Sequence, residues 1–204
     1  TRQAIGASGD FITAAEISQI FGEMLGLWTG VVWQQVLGGP QSITLVEYGP
    51  GRGTMMRDVL RAARVVPGFA QAVRVHLVEA SPVLQSAQRD TLSQAGVPIT
   101  WGHNLIGFPA PAIILANEFL DAWPVDQWVK TSDGWRQRGV GLDEGGKLTF
   151  CVRNMSETTG TLDRLYPQAA VGAVVESQRP ERFAEALGAL ARSGPFAALI
   201  IDYG

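Results

Sequence analysis

The segment LVEYGPGRGT, residues 45–54, most constrains what this chain can fold into. An apolar run reaches an acid, Glu47. Three glycines then follow at alternate positions, and a helix-forming segment begins at once. Glycine tolerates positive φ and leaves the backbone bare enough for close approach. Such a loop between a strand and a helix marks an open α/β sheet, in which a ligand sits beyond the carboxyl ends of the strands. The rest of the chain keeps the rhythm. Strands are predicted at 42–47, 73–79, 97–101 and 112–116, and helices at 54–64 and 82–95. Ser81 and Pro82 provide an N-cap and a first-position proline for the second helix, and Gly96 stops it. The 112–116 run is apolar throughout, as in a strand covered on both faces. The predicted class is α/β, a Rossmann-like doubly wound parallel sheet.

Upstream, residues 1–12 read as a loop. Thr13 and Glu16 have capping-box spacing. Behind them Ile17, Ile20, Phe21, Met24, Leu25 and Trp28 recur with a helical period and predict one buried face. After Pro124 the pattern changes to strands at 125–130, 135–142 and 147–153, with turn signals SDG and DEGG between them. These, with 172–177, predict an antiparallel meander inserted into the main sheet. A helix at 180–191 and a strand at 197–202 return to the first pattern. At 204 residues and 46% hydrophobic the chain suits one domain. Within it, residues 1–40 form an N-terminal covering loop and helix, and residues 124–177 a meander subdomain. The meander's Trp123, Trp128 and Trp135 suit either a lid or a docking face, with core packing expected for at least two of them.

Charge and composition exclude several classes. A net charge of -3 gives no electrostatic footprint for nucleic acid. One cysteine, Cys151, and two histidines, His76 and His103, provide neither a disulfide framework nor a metal set. No apolar run reaches the roughly 20 residues of a membrane span.

The glycine spacing decides between ligands. A dinucleotide fold wants G-x-G-x-x-G, whereas Gly49, Gly51 and Gly53 give G-x-G-x-G with Glu47 two residues ahead. A carboxylate there repels a pyrophosphate and suits a ligand carrying an ammonium group. Glu79, closing the strand VRVHLVE, is placed to accept hydrogen bonds from two ribose hydroxyls. An NAD-dependent oxidoreductase therefore fails on spacing, and the combination resembles the first motif of class I S-adenosylmethionine methyltransferases. That likeness implies a cofactor site of Glu47, Gly49, Pro50, Gly51, Gly53, Thr54, Glu79 and Ala80. Asn104 and Leu105 in the loop after the third strand would meet the adenine, although many such enzymes have an Asp at the position of Asn104.

With GDFITAAEIS, LVEYGPGRGT, LVEASP and ILANEFLDAWPV in this order, the chain resembles the MidA-type methyltransferase family. This is the family of the mitochondrial complex I assembly arginine methyltransferase and its bacterial relatives. Its members are longer at both ends, so the resemblance implies terminal parts beyond this sequence. It also implies S-adenosyl-L-methionine as cofactor and a protein arginine as substrate, with a complex I subunit as a candidate partner. The opening loop, with Gly9, Asp10, Phe11 and Thr13, would then cover the cofactor and line the substrate entrance. Arginine is essentially always protonated, so its methylation needs carboxylates to localise charge and receive a proton. Glu118 is the candidate to grip the guanidinium, assisted by Asp121 or Asp10. Asn117 would help fix the cofactor or the substrate, and Phe119 would line the substrate site. A methyltransferase fold that binds the cofactor but serves only as an assembly scaffold is the alternative. Dimerisation stays open. The compartment would be the mitochondrial matrix in a eukaryote and the cytoplasm in a bacterium, with the bacterial cytoplasm favoured.

Overall fold

A computed structural model describes residues 17–103, 109–153, 159–178 and 181–202. Two compact units divide the chain: residues 1–122 with 181–204, and residues 123–180.

The first unit is built on a parallel sheet. Its strands are β1 (Ile43–Tyr48), β2 (Val73–Val78), β3 (Ile99–Gly102), β4 (Ala112–Asn117) and, from the end of the chain, β9 (Phe196–Ile201). Their order is β3-β2-β1-β4-β9. The chain builds outward from β1 through β2 to β3, then returns to the other side of β1. The β1/β4 boundary is therefore the switch point at which an open sheet leaves a crevice. Every residue of β1 is buried, and the register pairs Glu47 with Leu77 on one side and Leu115 on the other. The helices are α1 (Gln19–Val31), α2 (Thr54–Ala63), a short α3 (Phe69–Ala72), α4 (Pro82–Thr91) and, late in the chain, α6 (Glu181–Ser193). The insert before β2 contains α3, which the sequence reading had left without structure. At the start of α4, Ser81 caps the Leu84 amide and Pro82 occupies the first turn, as expected.

The buried face of α1 differs from expectation. Ile17, Ile20 and Met24 are exposed, at 73%, 66% and 60%. Leu25 is buried as expected, but the rest of the buried face is Gly22, Gly26, Thr29 and Gly30. Glycines at every fourth position make a groove into which α2 and the turn after it fit. A Cβ on Gly22 would lie 2.7 Å from Asp58 Cβ, one on Gly26 2.4 Å from the Val59 carbonyl oxygen, and one on Gly30 2.4 Å from Val66 Cγ2. Periodicity alone finds the largest side chains; here backbone proximity outweighs them. The proposed capping residues Thr13 and Glu16 lie outside the described residues.

The second unit is an antiparallel sheet ordered β7-β6-β5-β8, from β5 (Val125–Thr131), β6 (Gly134–Leu142), β7 (Leu148–Val152) and β8 (Val174–Gln178). A helix, α5 (Thr159–Leu165), interrupts it, and sequence reading had missed this too. Trp128 and Trp135 are buried with Leu162, so both tryptophans pack the core of this unit. Among the described residues no helix is long and apolar enough to cross a membrane.

The glycine groove makes a direct prediction. Gly26→Ala should lower stability by about 1–3 kcal/mol, because overpacking outweighs the better helix propensity of alanine. Gly160→Ala, with nothing within 4 Å of the added carbon, should be neutral or stabilising by about 0.5–1 kcal/mol. Thermal melts of the two variants check this; equal behaviour would show that α1 is not held by close approach.

Candidate active site

The strand ends at the switch point bring the predicted acids and the glycine loop together. Glu47, the penultimate residue of β1, is 2% exposed, and its Oε2 has no hydrogen-bond partner among the described residues. Burial pushes its carboxyl up to about 8. An acid buried without a partner is costly and takes up a proton unless a cation is brought to it. Strand alternation puts Asn117, at the end of β4, on the same sheet face as Glu47, since each is an even number of residues from the β1–β4 partners Glu47 and Leu115.

The loop after β1 has positive φ at all three glycines: 64° at Gly49, 53° at Gly51 and 82° at Gly53. A turn closes it, the Gly53 amide donating to the Pro50 carbonyl at 2.8 Å. Thr54 then opens α2. Gly49 is also required by the protein itself, since a Cβ there would fall 2.9 Å from the Phe119 ring. A Cβ on Gly53 would make only ordinary contact, 3.4 Å from Gln88 Cγ, so at Gly53 it is the positive φ that favours glycine. The other side of Gly49 is exposed, so the bare backbone remains accessible to a ligand.

Glu79, just past β2, is half-buried. Its Oε1 accepts from the Ser81 amide at 2.8 Å and its Oε2 from Gln88 Nε2 at 3.3 Å. Ala80 beside it is exposed. Gln88 was not foreseen. Its signal was a polar residue at the centre of the Leu84–Gln88–Leu92 stripe, where helical spacing calls for an apolar one.

The end of β4 is a strained turn. Glu118 has φ 48°, a left-handed conformation that costs a residue with a long side chain of order 1 kcal/mol. Its amide donates to the Ile201 carbonyl at 2.9 Å. Asp202, at the end of β9, accepts the amides of Leu120 and Asp121 on one oxygen, at 3.0 and 3.1 Å. Sequence reading passed over Asp202, although an acid closing a sheet strand was the same signal that marked Glu47 and Glu79. Asp121 is exposed. Partial desolvation, then the charges of Asp202 and Glu118, push its carboxyl above the usual range. Glu118, Asp121 and Asp202 thus form a shared acidic rim beyond β4 and β9.

Phe119 is half-buried in an aromatic cluster, with ring centroids 5.4 Å from Tyr48 and 5.8 Å from Phe183. Burial raises the Tyr48 hydroxyl above its ordinary range. Gly9, Asp10, Phe11, Thr13, Asn104 and Leu105 lie outside the described residues.

This arrangement fits a nucleoside bearing an amino-acid end. The unpaired Glu47 oxygen calls for a cationic partner, and Glu79 keeps lone pairs for a diol. Gly49 presents open backbone between them.

Comparisons with known proteins agree with that fit. The model of a family described as "Putative S-adenosyl-L-methionine-dependent methyltransferase" matches residues 24–204. The chain is 36% identical over 231 residues to the zebrafish (Danio rerio) protein named protein arginine methyltransferase NDUFAF7, mitochondrial, covering 98% of this chain and 53% of that protein. The human (Homo sapiens) protein of the same name is 37% identical over 176 residues, covering 74% of this chain and 40% of the relative. A Burkholderia thailandensis protein solved with S-adenosyl-homocysteine bound superposes with a TM-score of 0.78 at 26% identity, covering 99% of this chain and 52% of its own. The chain spans about half the length of the first curated relatives it matches. Those relatives are mitochondrial by name, which gives no support to the bacterial compartment favoured from sequence. The family model and the relatives together cover most of the residues described above, and the chain belongs to the MidA-type S-adenosyl-L-methionine-dependent methyltransferase family.

Proposed function

We propose that this chain carries the S-adenosyl-L-methionine site of a protein arginine methyltransferase. The observation that carries the reading is the buried Glu47 carboxyl at the switch point, whose Oε2 has no partner among the described residues. The ammonium of the cofactor's methionine end would supply its missing partner. Glu79 would accept the ribose hydroxyls, Gly49, Pro50, Gly51, Gly53 and Thr54 would line the nucleoside's path, and Ala80 and Asn117 would flank it. When bound, the cofactor supplies an electrophilic methyl group on a sulfonium.

The names of the curated relatives support arginine as the methylated residue. The acidic rim supports it chemically. Methylation of a guanidinium nitrogen would form one N–C bond, break the S–C bond of the sulfonium to leave a neutral thioether, and release one proton, and a carboxyl whose affinity for protons is raised is the better acceptor. Asp121 has that property through partial desolvation, then through the charges of Asp202 and Glu118. Glu118 would grip the guanidinium, Asp121 would receive the proton, and Asp202 would hold the turn that carries both. Phe119 would line the approach, and the opening residues Gly9, Asp10, Phe11 and Thr13 keep the covering role their motif implies. The resemblance to the complex I assembly enzyme points to a respiratory complex I subunit as target, and the mitochondrial relatives to the matrix as the compartment.

Two measurements test this. S-adenosylhomocysteine should bind by calorimetry and NAD should not. Glu47 has a raised carboxyl, so below about pH 8 it holds a proton that a bound ammonium would displace. Binding near pH 7 should therefore release close to one proton. The affinity should rise as pH approaches 8, and both effects should vanish in Glu47→Gln. Equal NAD affinity, or no proton release, contradicts the reading. In a labelled-methyl assay on arginine peptides, Glu118→Gln should lower kcat by about 100-fold or more with S-adenosylhomocysteine affinity unchanged. Full turnover removes Glu118 from the chemistry, and binding without any transfer by the unaltered protein favours a scaffold.

A further inference from the structure

Helix α4 has a single fully buried residue, and it is the polar Gln88. Desolvating an amide costs stability that a leucine at the same position would not cost. The amide reaches three separate elements. Its Nε2 donates to the Gly51 carbonyl at 2.7 Å and to Glu79 Oε2 at 3.3 Å, and its Oε1 accepts from Trp101 Nε1 at 2.9 Å. An indole N–H only donates, so Trp101 fixes which end of the amide faces β3 and which faces the acid. Both donor hydrogens are then committed, one to the glycine loop and one to Glu79.

We propose that Gln88 is a positioning residue that sets the ribose specificity of the site, acting through Glu79. The inference rests on the cofactor reading above. Glu79 has one oxygen held by the Ser81 amide and the other by Gln88. Each oxygen keeps a lone pair for one of two neighbouring hydroxyls. The same amide ties Glu79 to the glycine loop, so the ribose acceptor and the loop are held at a fixed separation. Trp101 in turn is braced from its far side by Arg89, whose guanidinium carbon sits 4.2 Å from the ring centroid. Without the Gln88 donor the carboxylate can rotate away from the diol.

The test compares S-adenosylhomocysteine with its 2′-deoxy analogue by calorimetry, on the unaltered protein and two variants. Gln88→Glu keeps the acceptor for Trp101 but turns the donors toward Gly51 and Glu79 into an acceptor. Gln88→Met removes the donors without adding charge, and keeps the test open if the first variant does not fold. Each variant should lose about tenfold or more in affinity for S-adenosylhomocysteine, as for loss of a hydrogen bond to a charged group. Affinity for the 2′-deoxy analogue should change less than about threefold, so discrimination at the ribose collapses. Equal losses for both ligands would show that Gln88 merely holds the fold together and would overturn the proposal, as would no loss for either. An unaltered protein that binds neither ligand would remove the cofactor reading and this inference with it, whereas equal losses on a binding protein overturn the inference alone.

Discussion

A carboxyl group buried at the one crevice the sheet topology creates is the constraint on which the site depends. Every residue of β1 is covered, and Glu47 shares that cover with no partner for its Oε2 among the described residues. Burial of an unpaired ionisable group works against folding. A cationic ligand at the switch point would relieve that cost, which is the role proposed for Glu47. Neighbouring features follow from the same place. The chain must leave β1 sharply, which requires positive φ at Gly49, and the space on one side of that glycine is taken by Phe119.

The two sides of the crevice are built differently. Toward β2 and β3 the parts are tied by a polar network: Ser81 and Gln88 to Glu79, Gln88 to the glycine loop, Trp101 to Gln88. Such a network suits a cofactor that must lie in one orientation. Toward β4 and β9 the chain turns through a strained residue, Glu118, and one Asp202 oxygen holds two amides of the turn. Three acids crowd there with partial exposure, which suits an exchanging, positively charged substrate.

Much of this was legible from the sequence. Apolar runs alternating with capped helices located the parallel strands within a residue or two, and Ser81-Pro82 marked the start of α4. Glycine spacing and strand-end acids marked the candidate site, because both follow from local backbone chemistry, and the structure places them at the strand ends. What sequence concealed depends on long-range proximity. The glycines of α1 looked incidental beside Ile20 and Met24 until α2 was seen to lie against them. Gln88 was not singled out because its three partners come from three distant segments. Phe119 looked like a free substrate contact, yet it packs against Tyr48 and Phe183, which are 71 and 64 residues away in sequence.

If the Glu47 carboxyl is the partner of a cationic ligand, its own titration must respond to that ligand. A carbon-13 NMR titration of the Glu47 side chain, assigned by comparison with Glu47→Gln, observes that group itself. Without ligand its midpoint should lie near pH 8, and saturation with S-adenosylhomocysteine should move it well down toward the ordinary carboxylate range. A midpoint unmoved by a ligand that is demonstrably bound would contradict the account.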